Sequence, residues 1–191
     1  VSTTPAVVDG VVYFAGVDGH VYALDGVEGT LEWSYDRGPS SASASDVTVV
    51  DGLAYVGGAA DLVYALDTET GDEVWTFPTG DGVATSPAVA NGVVYFGCDD
   101  NHVYAVDAVD GTEVWSVTTG DAVRSSPAVV DDVVYLGSDD ASVYALDATD
   151  GSTLWSFETG GRIARSSPAV VDGVVYIGSR DARIYAIADA A

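Results

Sequence analysis

The phrase Ala-hydrophobic-Asp-x-x-x-Gly-x-x-x-Trp is written four times in this chain, at Ala23 to Trp33, Ala65 to Trp75, Ala105 to Trp115 and Ala145 to Trp155, with constant internal spacing. A unit of about 40 residues cannot bury its apolar faces alone, so copies must stack on one another, and the phrase predicts a repeat architecture before any chemistry is considered. The first tyrosines of the units, Tyr13, Tyr55, Tyr95, Tyr135 and Tyr176, are 42, 40, 40 and 41 residues apart. A second tyrosine follows nine residues later each time, at Tyr22, Tyr64, Tyr104, Tyr144 and Tyr185. Five units are therefore expected within a single domain spanning 1–191, over approximately 5–45, 46–86, 87–126, 127–167 and 168–191. The tryptophan belongs to the first four only.

Each unit reads as four short strands. In the third, Pro87 to Val89 is a strand, Asn91-Gly92 a tight hairpin turn, Val93 to Gly97 a strand, Asp99 to Asn101 a polar turn, and His102 to Val106 a third strand. Asp107 to Gly111 turns again and Glu113 to Val117 is the fourth. β-Branched and aromatic residues fill the strands, and Gly, Asp, Asn, Ser and Pro fill the turns. Nothing reads as helix. Repeated four-stranded antiparallel units predict an all-β fold, a β-propeller of four complete blades plus a three-stranded fifth. The fifth unit stops after its third strand, and Val1 to Thr4 aligns with an inter-blade connector rather than an outer strand. That missing closure predicts a segment of a larger seven- or eight-bladed ring, with a compact five-bladed ring or a ring completed by self-association with a second chain as alternatives.

Charge narrows the function classes. Asp and Glu number 30 against 6 arginines, lysine is absent, and the net charge is −24. Such a chain repels phosphate backbones and anionic membranes, so nucleic-acid binding is not expected. An Asp-rich, Lys-free composition resembles halophile proteins, whose self-repulsion is screened within roughly 3 Å near 1 M salt. No run of 18 apolar residues and no basic-then-apolar amino terminus is present; direct membrane insertion is not expected, and no signal sequence is legible. With no initiator methionine, the chain reads as a mature form or an excised piece.

The repeated phrase, preceded by Ser-Ser-Pro-Ala-Val-hydrophobic-Asp-Gly-Val-Val-Tyr-x-Gly, resembles the pyrroloquinoline-quinone-type propeller repeat over nearly the whole chain. The resemblance implies that the tryptophan of one blade packs against the alanine and glycine of a neighbouring phrase. Docking roles thus fall to Trp33, Trp75, Trp115 and Trp155, with Ala23, Ala65, Ala105 and Ala145 and with Gly29, Gly71, Gly111 and Gly151. The family includes quinoprotein dehydrogenases, which add a catalytic Asp, calcium ligands and often adjacent cysteines. It also includes cofactor-free scaffolds such as the outer-membrane assembly lipoprotein. This chain has one cysteine, Cys98, and no Glu, Asn and Asp set standing apart from the repeat, so the scaffold group is the expected one, with no cofactor. The alternative is a fragment of a quinone-dependent alcohol or sugar dehydrogenase, which would use pyrroloquinoline quinone and calcium. An extracellular or cell-surface location follows from the resemblance.

Other candidates read as structural. Asp25, Asp67, Asp107 and Asp147 each precede a glycine by four residues, where a carboxylate closes a turn by accepting backbone N–H groups more readily than it binds calcium. His20 and His102 occupy equivalent positions in separate units, too far apart to share a metal. Cys98 aligns with Ser138 and Ser179 and lacks a histidine partner, and no Gly-x-Ser-x-Gly elbow exists. No catalytic residue and no metal ligand is assigned. The arginines are the non-uniform feature. Arg37, Arg124, Arg162 and Arg165 fall in loops joining blades, and Arg180 and Arg183 lie at the turn between second and third strands. Both loop classes open on one face of a propeller. Arg124, Arg162, Arg165, Arg180 and Arg183 are the candidate contact face for a protein or anionic ligand, since guanidinium groups recognise carboxylates bidentately. Pairing with Asp99, Asp100, Asp139, Asp140 and Asp181 is the structural alternative.

Overall fold

The computed structural model describes residues 3–38, 45–58 and 61–188. The described residues form nineteen strands and no helix. Blade 1 contains β1 (Ala6–Val8), β2 (Val11–Ala15), β3 (His20–Asp25) and β4 (Leu31–Asp36). Blade 2 contains β5 (Thr48–Val50), β6 (Leu53–Gly57), β7 (Leu62–Asp67) and β8 (Glu73–Pro78). Blade 3 contains β9 (Ala88–Ala90), β10 (Val93–Gly97), β11 (His102–Asp107) and β12 (Glu113–Thr118). Blade 4 contains β13 (Ala128–Val130), β14 (Val133–Gly137), β15 (Ser142–Asp147) and β16 (Thr153–Glu158). Blade 5 contains β17 (Ala169–Val171), β18 (Val174–Ser179) and β19 (Arg183–Ala188).

Within every blade the strands are antiparallel and paired in chain order. The first hairpin is a two-residue turn with both φ angles positive: 51° and 76° at Asn91-Gly92, 50° and 83° at Asp9-Gly10, 49° and 61° at Asp131-Asp132. That backbone matches the twist of the flanking strands, and Asn, Asp and Gly tolerate it best. Innermost strands of successive blades, β1, β5, β9, β13 and β17, lie side by side.

The third and fourth strands carry a β-bulge that repeat spacing does not reveal. Ala65 pairs with Trp75 and Leu66 with Glu73, leaving Val74 without a partner; the same shift recurs at Ala23, Ala105 and Ala145. The extra residue turns Val74 outward and Trp75 inward, because a one-residue step reverses the face of a strand. The core is correspondingly divided into four clusters, each between two consecutive blades. The cluster between blades 2 and 3 joins Tyr55, Ala65, Trp75 and Phe77 of one sheet to Val94, Phe96, Cys98 and Ala108 of the next. Both faces of a middle blade are thus buried, which is why β10 and β14 are apolar at almost every position.

Candidate functional site

Two regions bring together the residues singled out by sequence: the seams between blades and the loop face bearing the arginines.

At the seams, the indole Nε1 of Trp33 donates to the Thr68 carbonyl at 2.9 Å, that of Trp75 to Ala108 at 3.0 Å, and that of Trp115 to Ala148 at 3.0 Å. The rings cover Gly71, Gly111 and Gly151 of the following blade, where a Cβ would come within 2.7 to 2.8 Å of the indole Cδ2. These glycines also have positive φ, so two independent constraints select them. The expected pairing is corrected in two respects. Ala23, Ala65, Ala105 and Ala145 are cross-strand partners of the tryptophan in their own blade and lie on the same face as it, so they are not the neighbour's receiving surface. At Gly29 a Cβ would meet no atom within 4 Å, because no described blade lies on that side of blade 1. Trp155 packs against the cluster between blades 4 and 5. Sequence reasoning misses the acceptors Thr68, Ala108 and Ala148, whose only signal is their place just after each phrase aspartate.

The phrase aspartates close turns. Asp25 Oδ1 accepts the N–H groups of Val27 and Glu28, and Asp67 Oδ1 those of Glu69 and Thr70. Asp107 and Asp147 do the same at Val109 and Thr149. His102 stacks on Tyr104 and contacts Thr118, and His20 stacks on Tyr22. Cys98 is fully buried and donates to the Asp81 carbonyl at 3.1 Å; burial pushes its thiol up to about 12. It is inert as placed.

On the loop face, the inter-blade loops and the second-to-third strand turns meet. Backbone bonds fix their correspondence: Asp99 N–H donates to Gly82, Asp139 N–H to Ala122, and Arg180 N–H to Arg162. Arg124, Arg162, Arg165 and Arg180, with Asp99, Asp139 and Ala164, line one cavity of about 400 Å³. Arg124 Nε donates to Asp99 at 2.9 Å and its Nη1 to Asp139 at 2.6 Å, and these carboxylates raise the pKa of the guanidinium. Arg162 stands farther off, 3.8 Å from Asp139 and 3.9 Å from Asp121. Arg165 and Arg180 are exposed and make no ion pair among the described residues.

Arg183 departs from the expected set: it lies outside this cavity, on β19 beside Tyr185. Arg37 is buried, and its Nη1 donates to the Gly57 carbonyl at 2.8 Å, so it holds two blades together instead of facing solvent. Asp100, Asp140 and Asp181, expected as arginine partners, accept instead from Tyr104, Tyr144 and Tyr185 at 2.8, 2.6 and 2.6 Å and from the N–H of Gly80, Gly120 and Gly160. A carboxylate four residues before a tyrosine therefore clamps the loop of the preceding blade. Among the described residues, no group of three or more His, Cys, Asp or Glu could hold a metal ion. No helix among them is long and apolar enough to cross a membrane.

A family model described as outer membrane protein assembly factor BamB matches residues 1–59 and 40–191. The chain belongs to this BamB-like family of pyrroloquinoline-quinone-type repeats. No curated protein matches it significantly. Among solved structures, BamB from Moraxella catarrhalis is 20% identical with a TM-score of 0.83, covering 98% of this chain and 61% of that one. A computationally designed protein is 18% identical, TM-score 0.85, with 95% and 56% covered. Quinohemoprotein alcohol dehydrogenase ADHIIG from Pseudomonas putida HK5 is 24% identical, TM-score 0.78, with 97% and 40% covered. The chain thus spans 40 to 61% of the length of these structures. At such identities the likeness shows the propeller fold alone, and the BamB-like and dehydrogenase structures share it.

Proposed function

We propose that this chain is a non-enzymatic propeller scaffold that binds a protein partner through its arginine-bearing loop face. The observation that carries the reading is the convergence of Arg124, Arg162, Arg165 and Arg180 on one cavity of that face in a chain of net charge −24. Repeated positions supply the seams and turns, which leaves this variable loop surface for recognition. Membership in a family named for an outer-membrane assembly factor supports a binding role over a catalytic one. The same name supports work at the cell surface or outside the cell, and the Asp-rich, Lys-free composition suits concentrated salt. Pairing of Arg124 with Asp99 and Asp139 orders the face, and the exposed Arg162, Arg165 and Arg180 are the groups offered to a partner.

The test is a pull-down from an envelope extract of the source cell with the wild-type chain and an Arg162→Ser, Arg165→Ser double variant. Proteins retained specifically by the wild type should be lost from the variant. Equal retention by both removes the loop face from the binding surface. Dye reduction with an alcohol or aldose after incubation with pyrroloquinoline quinone and calcium would overturn the non-enzymatic reading.

A further inference from the structure

We propose that the cavity between blades 3, 4 and 5 is a binding site for a small doubly charged oxyanion, a dicarboxylate or a phosphate monoester. The inference does not need the protein-binding reading above.

The cavity is where the repeat breaks. Its four arginines all stand at positions where other units carry something else. The backbone bonds from Val83, Val123 and Ile163 to Gly58, Cys98 and Ser138 mark one equivalent position in three loops. A hydroxyl that accepts from the glycine at or next to the end of the second strand, Thr85 from Gly97 and Ser166 from Gly178, marks another. One residue, Ala84, lies between these marks before blade 3, and two, Ala164 and Arg165, before blade 5. Arg165 is therefore an insertion, and it accounts for the 41-residue spacing from Tyr135 to Tyr176. It has φ 59°, a left-handed conformation unfavourable for a long side chain. By the same correspondence, Arg162 replaces Gly82 and Ala122, and Arg180 replaces Asp99 and Asp139. Arg124 occupies the place of Ala84. The other units build their seams and turns without these side chains, and of the four only Arg124 is held in close ion pairs.

The charges do not close on themselves. Asp99 and Asp139 are engaged by Arg124 within hydrogen-bond distance. Arg162 is beyond that distance from its nearest carboxylates, and Arg165 and Arg180 have none within 4.0 Å among the described residues. Asp139, only 2% exposed at its side chain, keeps one oxygen, Oδ1, without a donor. A structural ion-pair network would satisfy that oxygen before leaving three guanidiniums open. Two unpaired guanidiniums and a third held loosely match an oxyanion carrying two negative charges, each fork offering two parallel N–H groups. The volume, about 400 Å³, lies at the small end of ligand sites. A bulky polyanion is opposed by the surrounding charge of −24, whereas a small ion is drawn in by the local excess of arginine once salt screens the rest.

The experiment is isothermal titration calorimetry of the full chain with succinate and with inorganic phosphate, at ionic strength held constant with potassium chloride. Acetate serves as the monovalent control. At least one dianion should bind saturably at one site while acetate does not, and whichever saturates at lower concentration distinguishes a carboxylate from a phosphate ligand. Arg180→Asp restores the residue found in blades 3 and 4, and deletion of Arg165 restores the loop length; each should weaken binding tenfold or more without lowering the unliganded Tm. Should the deletion disturb blade 5, Arg180→Asp carries the test alone. Absence of saturable binding by both dianions, or equal binding by the wild type and Arg180→Asp, overturns the proposal.

Discussion

Trp33 seats its indole on Gly71 of the next blade while its Nε1 binds the Thr68 carbonyl three residues earlier, at 2.9 Å. One side chain thereby buries a large apolar ring and satisfies a backbone acceptor across a blade seam. Trp75 on Gly111 and Trp115 on Gly151 repeat the arrangement. Trp75→Ala should destabilise the chain by about 3 to 5 kcal/mol, the cost of a large aromatic cavity. A loss below about 1 kcal/mol in a denaturant titration would show that the seam does not depend on the indole.

Gly29 supplies an internal control for Gly71. Their φ angles are 70° and 76°, but only Gly71 lies under an indole. Gly29→Ala should cost about 1 to 2 kcal/mol from the left-handed backbone alone. Gly71→Ala should cost about 1 to 3 kcal/mol more, because its methyl must displace Trp33. Equal losses for the two variants in urea melts would sink the close-contact account.

Asp139 depends on Arg124 for its one ion-paired oxygen. Arg124→Ala leaves a nearly buried carboxylate without its donor and should cost about 1 to 3 kcal/mol. The double variant with Asp139→Ser should recover most of that loss, since Ser removes the stranded charge. Additive losses in the double-mutant cycle would mean that the two side chains act independently.

Asp67 reports on acid stability. The N–H groups of Thr70 and Glu69 hold its carboxyl below the ordinary range. A depressed folded-state pKa contributes stability above the unfolded value, about 3.9, and that stability is lost as pH falls through the lower folded value. Asp67→Ala should therefore be less stable than the wild type at neutral pH, and the gap should narrow as pH falls below about 3.9 and through the lower folded value. A gap unchanged across that window would exclude the turn hydrogen bonds as its source.

Cys98 should resist modification. With its thiol pushed up to about 12 by burial and no exposed surface, it should react negligibly with a disulfide reagent at pH 8 in the native chain and readily in urea. A native rate equal to the unfolded rate would contradict its place in the seam between blades 2 and 3.

The strand order, the hairpin turns and the blade count are legible in the sequence because they depend on local backbone preference. Asn91-Gly92 needs positive φ, and Val93 to Gly97 needs an extended, buried backbone, whatever lies elsewhere in the chain. The fourth strand is legible only in outline. The family resemblance implies Ala105 and Trp115 as partners across blades, whereas the register, with its bulge at Val114, makes them partners within one. Spacing cannot show on which sheet face a residue falls once a bulge shifts the register. Gly29 occupies the same place in its phrase as Gly71 and differs in having no described residue within 4 Å of where its Cβ would stand.

The arginines divide in the same way. Loop positions are enough to group Arg124, Arg162, Arg165 and Arg180, which line one cavity, because strand alternation dictates at which end of a blade each loop emerges. Sequence does not say that Arg37 turns inward to Gly57, that Arg183 stays apart, or that Asp139 is the buried carboxylate beneath the cavity. Those outcomes depend on three blades arriving at one point with a fixed rotation between them. Short-range propensity, repeated at a constant period, is sufficient to specify a stack of β-blades and the loops in which its few cations sit. Which of those cations are consumed in seams and which remain open is settled by packing between blades, because charge pairing acts over a few ångströms between residues that are distant in the chain.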